Sequence, residues 1–133
     1  MLALAVRTAE QFADAFAAIE RERPAGLVVL ADRLFLHHRA RIADFTLHHR
    51  LPGVNAHREM VDAGGLMSFG PNYADLHRRA ATYVDRILKG ARPADLPVEQ
   101  PSTFELIVNL KTARTLGLTN PPAVLMPAAQ VIE

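Results

Sequence analysis

The stretch from Gly64 to Tyr73, Gly-Gly-Leu-Met-Ser-Phe-Gly-Pro-Asn-Tyr, constrains the fold most tightly. Leu66 to Phe69 is a short apolar run between glycines, long enough for a strand and too brief for a helix. Gly70-Pro71 reads as turn punctuation, and Asn72 is placed to cap a following helix. That helix carries Leu76, Ala80, Tyr83, Val84 and Ile87 as its apolar positions. It stops at Gly90, a residue suited to the left-handed position beyond a helix end. Strand, glycine turn and helix N-terminus together are how α/β proteins present a ligand site at the carboxyl end of a strand.

The rest of the chain repeats this alternation. Leu2 to Val6 reads as a strand, after which Thr8 caps a helix with Phe12, Ala15, Phe16 and Ile19 on one face and Pro24 at its end. Gly26 to Ala31 is a continuous apolar run, as expected of a parallel strand covered on both faces. Asp32 ends it and caps a single helix from Leu34 to His49. Leu51 to Val54 reads as a strand despite Pro52-Gly53, and Asn55 to Asp62 as a loop or single helical turn. Beyond Gly90 a proline-rich crossing, residues 91–97, leads to a strand from Phe104 to Asn109. A short helix from Leu110 to Leu116 follows, ended by Gly117, Pro121 and Pro122, with an irregular or short helical tail. Such alternation implies an α/β fold, an open, mostly parallel sheet flanked by helices.

Composition bounds the function. The 133 residues are one domain's worth of chain, and 50% apolar content fills a modest core. The net charge is +1 with no basic run longer than two residues, so no nucleic-acid footprint is indicated. The chain has no cysteine, which excludes disulfides and thiolate chemistry. No apolar run approaches the ~18 residues of a membrane span. Met1 to Val6 lacks a basic leader and a small-residue cleavage site, and fits a buried strand better than a signal peptide.

The chemical motifs are mostly negative. His37-His38 and His48-His49 are eleven residues apart on one predicted helix, about 16 Å along its axis, too far to share an ion. No metal site and no cofactor are expected. Gly65 to Gly70 has Pro71 and Asn72 where a phosphate loop needs Lys and Ser/Thr, and no G-x-G-x-x-G is present. Ser68 is one residue out of frame for a G-x-S-x-G elbow. No catalytic residue is assigned. What remains are the loops after the predicted strands, Arg7-Thr8, Asp32-Arg33, Asn55 to Glu59 and Phe69 to Tyr73, which a parallel sheet lines up on one edge. Plain structural roles compete there: Thr8, Asp32 and Asn72 as caps, Arg58 and Glu59 as an exposed ion pair, Tyr73 as packing.

From Arg33 onward the chain also resembles a known family. The resemblance runs through Phe35 with His38-Arg39, Arg41-Ile42-Ala43, Arg58-Glu59 and the run from Val61 to Ser68. It continues through Gly70-Pro71-Asn72, Arg78-Arg79-Ala80-Ala81, Tyr83-Val84-Asp85 and Ile87-Leu88-Lys89-Gly90. Pro93 to Pro101, Asn109 to Ala113, Leu116-Gly117-Leu118 and Pro121-Pro122 complete it. The order and spacing over about a hundred residues are similar to the C-terminal part of ABC transporter substrate-binding proteins, in the branch compared with tryptophan-binding lipoproteins.

The resemblance implies one lobe of a type I periplasmic-binding-protein-like fold, spanning residues 1–133. Family members are about twice this length, with a signal peptide and a first lobe, and hold ligand in a cleft that closes by a hinge. It further implies that residues 71–92 are a helical excursion packing on the first lobe, and that 98–133 are the returning strand, helix and tail. The implied function is non-catalytic binding of a small organic solute, such as an amino acid, for an ABC importer with its permease. The implied location is periplasmic or extracytoplasmic. The half-cleft would be lined by Asp32, Arg58, Glu59, Phe69, Asn72 and Tyr73. Without the first lobe, the stripe on the helix 72–89 is expected to be buried by self-association. Two departures bear on the ligand: Phe69 replaces a tyrosine common in relatives, and Asn55-Ala56-His57 replaces an aromatic or apolar run. The alternative is a free-standing cytosolic α/β enzyme or small-molecule sensor.

Overall fold

The computed structural model describes residues 1–119 and 122–133. The chain divides into two compact units, one of residues 1–70 and 106–133 and one of residues 71–105. In chain order the first unit contributes α1 (Gln11–Glu22), β1 (Leu27–Val29), α2 (Arg33–His37), α3 (Arg39–His48), β2 (Gly53–Asn55) and α4 (Arg58–Asp62). Next come β3 (Met67–Pro71), α5 (Tyr73–Leu88) in the second unit, β4 (Phe104–Asn109), α6 (Leu110–Thr115), α7 (Pro122–Leu125) and β5 (Gln130–Ile132). The five strands form one sheet in the order β1-β2-β3-β4-β5. β1 pairs with β2, β2 with β3 and β4 with β5, all parallel. This is the α/β architecture expected.

One part of the first unit's core is built by α1 against α3 and α4, and another by Ile107 and Val108 of β4 with Val61 and Ala113. Phe12, Ile42 and Met60 form one buried cluster, with Val6, Phe16, Val29, Leu34 and Phe35 packed on it. Ile19, Phe45 and Leu51 form a second, with Phe16 and Leu27 against it. Phe16 and Phe45 stack at 4.0 Å, and the Arg41 guanidinium lies over Phe12 and Phe16 while donating to the Ala9 carbonyl. That position combines a cation–π contact with a hydrogen bond, and so ties α3 to the start of α1.

β3 is set into this unit by glycines at both ends. Gly64 ends α4 with φ of 106°, in a cap where the Gly65 N–H reaches the Met60 carbonyl. A Cβ on Gly65 would stand 2.7 Å from the Met60 carbonyl oxygen, and one on Gly70 2.1 Å from that of Ala56. No side chain fits at either place.

Several expectations are corrected. Leu2 to Val6 is not a strand: Leu2 and Leu4 are exposed, and Val6 alone packs on the core. An apolar run becomes a strand only where a ladder awaits it, and among the described residues β1 pairs with β2 alone. β1 is not covered on both faces either, since Val28 is 70% exposed at this sheet edge. The helix read from Leu34 to His49 is two helices broken at His38, whose ring packs 5.1 Å from that of Phe12. No proline or glycine marks that break. Gly70-Pro71 continues the strand instead of turning it, because Gly70 lets the backbone run close to Ala56. Thr8 does not cap α1: the N-cap is Glu10, and the Thr8 side chain hydrogen-bonds the Glu10 carboxylate. The tail holds a strand, β5, in place of a purely irregular or helical segment. Pro121, read as a helix stop, lies outside the described residues.

Gly70→Ala is expected to lower the unfolding free energy by about 2–3 kcal/mol. The shift would be read as a lower urea midpoint at unchanged slope. Gly117, at φ of 73° with open space around its Cβ position, provides the contrast: Gly117→Ala should cost only about 1 kcal/mol of backbone strain.

Candidate functional site

The parallel register carries β1, β2 and β3 to a common carboxyl edge. Asp32 follows β1, Arg58 and Glu59 open α4 just past β2, and Phe69 lies one residue beyond the Asn55–Ser68 pairing that ends the β2–β3 ladder. The first unit therefore brings these four sequence-predicted residues to one edge. Asp32 caps α2, its Oδ1 accepting from the Leu34 N–H at 2.7 Å. Arg58 donates from Nη2 to Gln130 Oε1 at 3.0 Å and is 3.7 Å from Asp62, so its ion-pair partner is Asp62 and not Glu59. Glu59 is exposed in the first turn of α4, and Phe69 is 56% exposed.

Asn72 and Tyr73 belong to the second unit. Asn72 is the N-cap of α5: its Oδ1 accepts from the Asp75 N–H at 2.8 Å and its Nδ2 donates to Glu105 Oε1 at 2.6 Å. Its side chain is engaged by the backbone it organises. Tyr73 opens α5 and is partly exposed. In this unit the returning segment is fastened along α5 by Arg79, which pairs with Glu99, and by Tyr83, which donates to the Pro97 carbonyl at 2.7 Å. The Arg79 guanidinium holds the Glu99 carboxyl below its ordinary value.

Behind the carboxyl edge lies a set of buried polar residues, Asn55, Asn109 and Thr112, for which sequence reading gave no buried structural role. Asn55 donates from Nδ2 to the Met67 carbonyl at 3.0 Å, locking the end of β2 to β3. Asn109, at the end of β4, accepts from the Thr112 N–H at 3.0 Å, and Thr112 donates from its hydroxyl to the Gly64 carbonyl at 2.9 Å. An asparagine between an apolar strand and a helix is itself a capping signal, and would have marked Asn109. Among the described residues no buried side-chain nitrogen or oxygen lacks a partner. Nor do three or more His, Asp or Glu gather in a metal-binding group among the described residues.

A protein-family model for ABC transporter substrate-binding proteins matches residues 2–132. The chain belongs to that family. It is a family of binding proteins and not of enzymes. No curated protein matches the sequence significantly. Among solved structures, this family member is similar to an ABC domain from Streptococcus pneumonia in complex with L-Trp, at TM-score 0.88 and 29% identity, over 97% of this chain and 43% of that one. It is similar to a conserved domain protein from Vibrio cholerae O1 biovar El Tor, at TM-score 0.83 and 27% identity, over 92% of this chain and 41% of that one. A ligand-free, open substrate-binding protein with adhesive properties from Clostridium difficile shares the fold, at TM-score 0.68 and 21% identity, over 98% of this chain and 43% of that one. The substrate-binding family member described here thus spans about two fifths of the length of these structures.

Acidification should loosen the returning segment of the second unit. Because the folded Glu99 carboxyl sits below its ordinary value of 4.5, its contribution is present above that value and fades as pH falls through the folded one. Backbone chemical shifts of residues 98–102 are expected to move toward disordered-chain values as the pH falls below the ordinary carboxyl value of 4.5, and Glu99→Gln should remove that dependence.

Proposed function

We propose that the chain is the second lobe of the solute-binding component of an ABC importer, taking a small organic solute such as an amino acid. The observation that carries this is the family match over nearly the whole chain, joined to close similarity with a domain that holds L-Trp. In this reading the carboxyl edge of the sheet is half of a cleft. Asp32, Arg58 and Glu59 orient polar groups of the solute there, and Phe69 supplies an apolar wall. An exposed aromatic beside a few oriented polar groups is the usual composition of such a site. The other half comes from a first lobe, the partner is a permease, and the location is extracytoplasmic.

The domain organisation belongs to the same proposal. Residues 71–92 are the excursion that packs on a first lobe, and 98–133 return the chain to this one. Supporting it, α5 has no buried residue, and Val84, Ile87 and Leu88 on it are exposed. Uncovered, such a stripe favours association with a second copy.

Two measurements test this. Titrating L-tryptophan and a panel of amino acids into the 15N-labelled chain should shift resonances at Asp32, Arg58, Glu59 and Phe69, with Phe69→Ala weakening binding about tenfold. Silence across the whole panel would sink the solute-binding reading. Sedimentation equilibrium should show a concentration-dependent dimer that Val84→Glu with Ile87→Glu converts to monomer. A monomer at all concentrations would remove the self-association.

A further inference from the structure

A pocket of about 540 Å³ opens at the other edge of the sheet, among the residues that lead into β1 and β2. Its floor is apolar, with Ile19, Phe45 and Leu51 from the second core cluster. Its rim carries Arg23 and Arg50, each standing just past a helix, α1 and α3 respectively. Neither guanidinium has a hydrogen-bond or ion-pair partner among the described residues. The one carboxylate of the rim, Glu20, is taken by His49, with Nε2 3.3 Å from Oε1, and the His49 ring lies 4.5 Å from that of Phe45.

The backbone under the two arginines makes their presence informative. Arg23 and Arg50 have φ of 45° and 50°, in the left-handed region, where a side chain is disfavoured and glycine or asparagine is the ordinary choice. α3 closes with the Arg50 N–H on the Leu47 carbonyl and the Leu51 N–H on that of Thr46. α4, α5 and α6 close with the same pair of bonds, and there the left-handed residue is Gly64, Gly90 and Gly117. A cation beside a helix C-terminus is favourable, but the last helical turn offers that position without strain. Here strain is accepted at two residues that share one pocket, and both cations are left unpaired over an apolar floor.

We propose that this pocket is a second binding site, for a small organic anion: a carboxylate carried on an aromatic or apolar body. The carboxylate is held between Arg23 and Arg50 through charge-assisted hydrogen bonds. The body rests on Phe45 and Leu51, between Pro24 and Pro52. Its volume suits a small organic ligand. It faces away from the carboxyl edge, so a molecule bound here leaves the proposed solute cleft open.

Benzoate is the probe, titrated into the 15N-labelled chain at constant ionic strength. Benzyl alcohol serves as the neutral analogue and inorganic phosphate as the anion without a body. Saturable benzoate shifts confined to residues 19–25 and 45–52 are expected, with benzyl alcohol and phosphate each at least about tenfold weaker. Arg23→Asn with Arg50→Asn should abolish those shifts while keeping or raising the thermal midpoint, because asparagine tolerates the left-handed region. Tryptophan-induced shifts at Asp32 and Phe69, if present, should be unchanged in that variant, which separates this site from the solute cleft. Equal binding of benzyl alcohol would overturn the role of charge, equal binding of phosphate that of the apolar floor. Undiminished benzoate shifts in the double variant, or none in the parent chain, would overturn the site.

Discussion

The first unit depends on how closely β3 can approach its neighbours. Gly65 and Gly70 bring its backbone so near Met60 and Ala56 that a methyl group at either position would overlap a carbonyl oxygen. The closeness has a polar counterpart. The Asn55 amide reaches the Met67 carbonyl, and the Thr112 hydroxyl reaches that of Gly64, so β2, β3 and α6 are held in one register by buried, fully partnered groups. In a medium of low dielectric such bonds are expensive to leave unmade, which makes the arrangement specific as well as stable.

The proposed solute site draws on the groups that this arrangement leaves over. With the interior polar groups satisfied, Asp32, Arg58, Glu59 and Phe69 remain at the carboxyl ends of parallel strands, where open α/β sheets take their ligands. Three of the four are also in structural use or near it: Asp32 caps a helix, Arg58 spans to Gln130, and Glu59 sits in the first turn of α4. In the proposed site, dual employment of this kind would keep a binding group oriented before any ligand arrives, which lowers the ordering cost of association. At the opposite edge the logic is reversed, because Arg23 and Arg50 stand on strained backbone and their guanidinium groups have no partner among the described residues.

Much of this was legible along the chain. Asp32 and Asn72 were recognisable as caps because a cap needs only one polar side chain beside the first turn of a helix. The strand from Phe104 to Asn109 was legible because an apolar run of strand length met a helix signal at its end. The glycine at position 90 was legible as a stop for the same local reason. The failures are equally instructive. Leu2 to Val6 has the composition of a strand and Gln130–Ile132 scarcely does, yet only the latter pairs. A ladder is a property of two segments, and no local signal reports whether the second is in place.

What the sequence by itself determined is therefore whatever depends on a residue and its near neighbours: helix caps and stops, the α/β alternation, and the family pattern from Arg33 onward. The tertiary structure decided what depends on distant partners. It broke one expected helix at His38 by packing that ring on Phe12, drew Gly70-Pro71 into a strand beside Ala56, and gave Arg58 to Asp62 and Gln130. It also set Arg23 and Arg50, 27 residues apart in sequence, on one pocket. Spacing along a chain carries the first kind of information and not the second, because long-range contacts form only when separate elements compete for the same buried surface.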